Sequence, residues 1–234
     1  MIFGRVFSIW AQPKSATHPS TKILYHRPNR FWGRFMNRAE LNSLHTRWRQ
    51  DLEFTEDVLG QPFKFRSTWG LFSPEQLDEG SLMLLDHIEF RSADSSIDLG
   101  CGYGVLGMTA ARACPQGQHL LIDKDFVAVE YAKLNCAANG LSNTQVQLSN
   151  GFRHVDPTRR FDLVMSNLPA KASKEQHYLY LLDAWNAMNE GGRFYVVTIN
   201  GLREFMQRTF KEVFGNCQKL KQGKTYTITM AERD

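Results

Sequence analysis

Long apolar runs are missing from this chain. No stretch reaches the roughly 18 apolar residues that a membrane span needs, so no membrane partner is expected. The apolar start, residues 1–10, is broken by Arg5 and followed by Gln12-Pro13, which makes a poor secretory signal. Cysteine pairing is missing too. Cys101, Cys114, Cys136 and Cys217 are scattered with no C-x-x-C spacing. Neither a zinc site nor a disulfide framework is readable, and a reducing, cytoplasmic compartment is expected. Acid is scarce at the beginning: the first 50 residues hold nine Lys/Arg against Glu40 alone, a net +8, while the remainder carries −4. Internal repeats and low-complexity tracts are absent.

What is present is ordinary globular material. The 234 residues are 42% hydrophobic and 22% charged, which suits one domain plus an extension. The basic opening is interleaved with Tyr25, Phe31, Trp32, Phe35 and Trp48. Cations for phosphates and rings for unpaired bases are what RNA contact requires. An arm packed on the domain and an organelle transit segment share the same composition. Pro13, Pro19 and Pro28 mark residues 1–30 as irregular. Residues 31–50 read as one basic helix and 54–68 as extended chain.

From residue 73 the pattern becomes regular. Helices are expected over 82–88, 105–113, 126–138, 178–188 and 202–214. Strands are expected over 95–99, 119–123, 144–148, 161–166 and 194–199, with a late pair at 217–220 and 226–230. Asn139-Gly140 stops one helix and Gly191-Gly192 another. Strict strand–helix alternation predicts an α/β, doubly wound, seven-stranded and mostly parallel sheet. The late pair adds an antiparallel terminal strand, an ending typical of methyltransferases and unusual in dinucleotide dehydrogenases. The division is drawn at 1–62 for the basic extension and 63–234 for the domain.

The most informative stretch is Ser96-Ile97-Asp98-Leu99-Gly100-Cys101-Gly102-Tyr103-Gly104. Glycines without a Cβ let a ligand approach the backbone, and an acid at a strand end accepts from a cationic amine or a hydroxyl. That combination fits S-adenosylmethionine. Gly102-Tyr103-Gly104-Val105-Leu106-Gly107 also satisfies the dinucleotide fingerprint, with Asp123 about 20 residues on. On this stretch alone the two cofactors are not separable.

Ligands of doubly wound sheets sit beyond the carboxyl ends of the strands. The candidates for binding cofactor are therefore Asp98, Gly100, Gly102, Gly104, Asp123, which would take the ribose hydroxyls, and Asn150, which would contact adenine. Strand four ends Ser166-Asn167-Leu168-Pro169-Ala170. An amine attacking a methyl sulfonium needs its lone pair aimed. The Asn167 side-chain oxygen and the Leu168 carbonyl are two acceptors for its N–H groups, and Pro169 biases Leu168 towards an extended backbone. Catalysis would be positioning plus electrostatics by Asn167, Leu168 and Pro169. On this basis Asn167→Asp, which keeps an acceptor oxygen, is expected to stay partly active.

With these residues in place, the chain from about residue 64 onward resembles the methyltransferase small domain family of class I S-adenosylmethionine-dependent methyltransferases, which includes ribosomal RNA guanine-N2 methyltransferases. The matching pieces are Gly70-Leu71-Phe72-Ser73, Leu77-Asp78-Glu79-Gly80-Ser81, the run from Asp98 to Gly107, Asp123, Ala138-Asn139-Gly140, Ser149-Asn150 and Ser166-Asn167-Leu168-Pro169. The resemblance implies that the glycine loop and Asp123 bind S-adenosylmethionine and that Asn167 and Pro169 flank the target amine. It also implies that Phe72, Asp78 and Ser81 lie over the cofactor or substrate. Two positions depart from the family: Leu168 stands where its first proline is usual, and Ala170 where a bulky or aromatic residue is usual. Without a ring at 170, either the substrate is not a stacked base or the stacking partner for a flipped base comes from elsewhere, such as the basic arm. The basic arm stands where longer relatives carry a separate amino-terminal half. The expected activity is methylation of an exocyclic amine of a base in ribosomal or other structured RNA. The alternatives are methylation of a glutamine amide in a protein, and a non-catalytic RNA-binding protein.

Overall fold

The structure, a computed structural model, describes residues 35–234. The irregular segment and most of the basic aromatic arm expected from the sequence lie outside these residues. Helix α1 (Arg38–Trp48) is shorter than the expected 31–50. It begins where Asn37 and Glu40 cap each other: Asn37 N–H donates to Glu40 Oε2 at 2.8 Å and Glu40 N–H to Asn37 Oδ1 at 3.0 Å. Residues 44–234 form one compact unit.

The extended chain expected over 54–68 is a hairpin of β1 (Leu52–Val58) and β2 (Gln61–Ser67). Leu59 and Gly60 turn it, with φ of 54° and 75°. Two left-handed residues match the strand twist in a two-residue turn. Position 62, where the division was drawn, falls inside β2 and opposite Asp57.

The main sheet has the order β5-β4-β3-β6-β7-β9-β8. Its strands are β3 (Ser96–Leu99), β4 (His119–Asp123), β5 (Thr144–Leu148), β6 (Phe161–Asn167), β7 (Met188–Ile199), β8 (Gln218–Gln222) and β9 (Tyr226–Glu232). The first five run parallel, whereas β9 pairs antiparallel with both β7 and β8. This is the expected seven-stranded sheet. Strand order reverses at β3, which has β4 on one side and β6 on the other, so a crevice opens beyond the carboxyl ends of β3 and β6.

Helices α2 (Glu79–Leu85), α3 (Val105–Ala113), α4 (Phe126–Ala138), α5 (Lys174–Ala187) and α6 (Arg203–Phe214) cover the sheet. One core holds Phe63, Phe65, Leu84, Met108 and Leu163; the other holds Ile97, Phe161, Leu181, Phe194 and Phe210. Two expected boundaries moved for a capping reason. Helix α2 begins at 79, not 82, because the Asp78 carboxylate takes the Ser81 N–H. Helix α5 begins at 174, not 178, because Ser173 caps it. The same helix ends at Ala187, and Gly191-Gly192 lie within β7 beside its bulge rather than at a helix terminus. Gly140, with φ of 67°, does close α4 as expected.

The hairpin is bound to α4 through side chains. Asn135 Oδ1 accepts from Arg66 N–H at 2.7 Å, and Asn139 Oδ1 from Lys64 N–H at 3.0 Å. Their Nδ2 groups donate back to the carbonyls of Arg66 and Lys64. Two asparagines one helical turn apart thus satisfy the edge of β2 as a neighbouring strand would.

Candidate active site at the ends of β3 and β6

A cavity of about 450 Å³ occupies the crevice. That is enough for a nucleoside-sized ligand. The glycine loop, Asp123 and the Asn167–Ala170 segment all line it, and so do Phe72, Asp78 and Ser81.

The loop is shaped by its own bonds. Gly100 and Cys101 N–H groups donate to the Ile122 carbonyl, at 2.9 and 3.0 Å. Gly102 N–H donates to Asp123 Oδ2 at 2.9 Å. Gly100 and Gly102 have φ of 75° and 55°, and a Cβ built on either meets only open space. They form a cradle that side chains would fill. Gly104 differs. Its φ of 103° starts α3, a Cβ there would sit 3.3 Å from Leu121, and it does not line the cavity. Gly107 is packed harder still: a Cβ there would lie 2.4 Å from Leu121 Cγ. So Gly100 and Gly102 face the ligand space, while Gly104 and Gly107 seat α3 on β4.

Asp98 is 1% exposed. Its Oδ2 accepts from Gly107 N–H at 2.8 Å, and its Oδ1 has no hydrogen-bond partner among the described residues. Burial pushes its carboxyl up to about 7, partly opposed by the Gly107 bond. Asp98 is among the residues that line the cavity, and a buried carboxylate oxygen without a partner is an acceptor for a cationic amine brought within reach of it. Asp123 has both oxygens engaged by backbone, Oδ2 by Gly102 and Oδ1 by Asp125 N–H at 2.9 Å. The cap of α4 is Asp125, whose Oδ1 accepts from Val127 N–H. Asp123 is thereby freed from capping and left on the cavity wall. Asn150 is exposed and stands outside the lining, whereas its neighbours Ser149 and Gly151 are in it.

At the acceptor side, Ser166 Oγ donates to the Leu99 carbonyl at 2.7 Å and so joins the ends of β6 and β3. Leu168 N–H donates to the Val197 carbonyl, and the Leu168 side chain is buried in the core. A leucine in place of the usual proline therefore gains a sheet bond and apolar cover. Pro169 and Ala170 are exposed on the cavity rim. Asn167 Nδ2 donates to Asp78 Oδ2 at 2.8 Å and to Ser81 Oγ at 3.0 Å.

Tyr226 is a site residue the sequence did not reveal. It stands at the start of β9 with no motif around it, and its hydroxyl donates to Asp78 Oδ1 at 3.1 Å. Burial and the neighbouring carboxylate push it up to about 12, so the phenol remains a donor at neutral pH. Tyr103, in sequence only a residue of the glycine loop, has a second role. Its hydroxyl donates to the Ser73 and Gln76 carbonyls and pins the segment that presents Phe72, which is 65% exposed on the cavity rim.

A parallel sheet with this strand order and an antiparallel terminal pair, with a glycine loop and an Asn-Leu-Pro turn at neighbouring strand ends, is the class I methyltransferase fold. Within that class the chain belongs to the methyltransferase small domain family, whose model matches residues 62–230. It is 32% identical over 176 residues to ribosomal RNA small subunit methyltransferase C of Pseudomonas entomophila, covering 74% of this chain and 52% of that protein. It is 28% identical to the Bacillus subtilis protein YbxB, covering 73% of this chain and 86% of that one. A T. thermophilus 16S rRNA N2 methyltransferase, solved in complex with AdoMet and guanosine, superposes with a TM-score of 0.72 at 25% identity. That alignment covers 79% of this chain and 51% of that one. The chain thus spans about half the length of the ribosomal RNA methyltransferases it matches. Among the described residues no helix is long and apolar enough to cross a membrane, and no three His, Cys, Asp or Glu side chains come together as metal ligands would.

Proposed function

We propose that this protein is an S-adenosylmethionine-dependent methyltransferase acting on an exocyclic amine of a base in ribosomal RNA, with guanine N2 as the acceptor. The observation that carries the reading is the shared cavity: Gly100, Gly102, Asp98 and Asp123 line it together with Asn167, Leu168 and Pro169. When bound, S-adenosylmethionine supplies an electrophilic methyl carried on a sulfonium. Asp98 Oδ1 would receive the ammonium of its amino-acid end, Gly100 and Gly102 would admit that end against the backbone, and Asp123 would accept from the ribose hydroxyls. Asn167 Oδ1 and the Leu168 carbonyl would accept the two N–H groups of the target amine, aiming its lone pair at the methyl. The methyl would pass from sulfur to nitrogen with S-adenosylhomocysteine as the leaving group, and the surplus proton of the amine would go to solvent. The similar proteins in P. entomophila and T. thermophilus are a ribosomal RNA methyltransferase and a 16S rRNA N2 methyltransferase with guanosine bound, which supports the choice of base.

The basic amino-terminal segment, with +8 over 50 residues, is proposed to add phosphate contacts. A cytoplasmic location is proposed with it. The test is incubation with methyl-labelled S-adenosylmethionine and, separately, ribosomal RNA and total protein from a strain lacking the gene. Label in RNA as N2-methylguanosine is expected. Label in glutamine amides of protein would replace this reading with the protein-methylating one.

A further inference from the structure

We infer that Asp78 and Ser81 are positioning residues that lock the side-chain amide of Asn167 with its oxygen available to the substrate. This rests on the reading of Asn167 as the acceptor for the target amine, and deepens it. An asparagine amide is nearly symmetric in shape but opposite in chemistry at its two ends. Turned one way it accepts from an amine; turned the other way it presents N–H groups and repels one. Something must choose. The choice is made by Asp78, whose ionised carboxylate is acceptor-only. Asp78 Oδ2 lies 2.8 Å from Asn167 Nδ2, and Ser81 Oγ lies 3.0 Å from the same nitrogen. Both amide hydrogens are consumed. The flipped amide would set oxygen against carboxylate oxygen at the same distance.

Asp78 is itself held from two sides. Ser81 N–H donates to Oδ2 at 3.0 Å, and the Tyr226 hydroxyl donates to Oδ1 at 3.1 Å. Helix α2, strand β9 and the end of β6 therefore meet on one carboxylate. Gly80 shows how tight the meeting is: a Cβ there would lie 2.8 Å from Asp78 Oδ2 and 3.0 Å from the Tyr226 ring.

The arrangement makes a counter-intuitive demand on Asn167→Asp. Judged alone, that substitution keeps an acceptor oxygen. In place, it sets a second carboxylate against Asp78. Exchanging the pair, with Asp78→Asn added to Asn167→Asp, sets a donor at position 78 against an acceptor at position 167 and leaves one oxygen of residue 167 free; the Tyr226 hydroxyl keeps its acceptor on residue 78, while the Ser81 N–H loses its own, a cost that the melting temperature reads. The experiment measures methyl transfer from labelled S-adenosylmethionine to ribosomal RNA from a strain lacking the gene. Asn167→Ala, Asn167→Asp and the double variant are compared, with S-adenosylhomocysteine affinity and melting temperature measured on each. Asn167→Asp should lose turnover by a factor on the order of 10². The double variant should recover at least about tenfold over it, a coupling typical of directly bonded partners. Cofactor affinity should stay level throughout. If Asn167→Ala is inactive and the double variant is no better than Asn167→Asp, the orientation role of Asp78 is overturned while the role of Asn167 stands. Full activity of Asn167→Ala overturns both.

Discussion

The backbone N–H of Gly102 donates to Asp123 Oδ2 across 2.9 Å, so the turn after β3 and the end of β4 are one unit. The bond has two consequences. It holds Gly102 in its left-handed conformation, and it turns the Asp123 carboxylate towards the cavity that both residues line.

Gly102→Val tests the cradle. The new side chain enters open space in the cavity at a φ of 55°, where a branched residue is strained by on the order of 1–3 kcal/mol. Affinity for S-adenosylhomocysteine, measured by titration calorimetry, should fall by at least about tenfold, beyond what strain alone explains. Gly60→Val is the control. It carries the same kind of strain at a φ of 75° in the hairpin turn, remote from the cavity, and should lower the melting temperature with affinity intact. Equal affinities for Gly102→Val and wild type would remove the loop from the binding site.

Asp98 sets a pH dependence. Its folded carboxyl titrates near 7, above the ordinary carboxylate value, because burial disfavours the charge. A raised pKa means that the stabilisation belongs to the protonated form. It is complete below about 4 and lost as pH rises through about 7. The ligand-free protein should therefore gain stability on moderate acidification through this group. An ammonium beside Oδ1 needs the ionised form, so binding releases a proton. Affinity for S-adenosylhomocysteine should rise between pH 6 and 8, by up to about tenfold per unit below the titration point. Calorimetry in buffers of different ionisation enthalpy reads the proton directly. A flat profile would mean that Oδ1 meets no cation.

Asn167→Ala should lower turnover by a factor on the order of 10² or more, the cost of deleting one preorganised polar group at a reacting centre. Binding of S-adenosylhomocysteine should barely change, because Asn167 is assigned to the acceptor side. A parallel loss of both would reduce Asn167 to a wall of the pocket.

Removing residues 1–43 takes away seven of the nine early bases and Glu40, and keeps Leu44, which is buried in the compact unit that starts there. Affinity for ribosomal RNA should fall and its dependence on salt should flatten, by about 0.9 in the logarithmic slope for each phosphate that the arm no longer neutralises. An unchanged slope, measured by filter binding across a salt series, would leave the arm a packing or targeting segment.

Much of the site was legible because it is built from residues adjacent in the chain. The run from Asp98 to Gly107 carries its own turn chemistry, and Asn167-Leu168-Pro169 closes a strand readable from its apolar run. Local caps displaced the expected boundaries: Asp78 and Ser173 start their helices earlier than apolar periodicity suggested, since a cap needs one side chain and periodicity needs several turns. Gly191-Gly192 misled because glycine signals both a helix end and a strand irregularity. Within the glycine loop, one spacing hid two jobs. Gly100 and Gly102 face open space, while Gly104 packs against Leu121, a partner on the next strand.

The order of elements, the mostly parallel sheet and the two motifs at strand ends were determined by the sequence itself, because hydrophobic periodicity and turn residues act over a few positions. Only the tertiary structure decided which way the Asn167 amide faces. Its partners Asp78 and Ser81 lie 89 and 86 residues away, and Tyr226 joins Asp78 from 148 residues further along the chain. Sheet order brings those three segments to one point, and an acceptor-only carboxylate acts on an amide only across a hydrogen-bond distance.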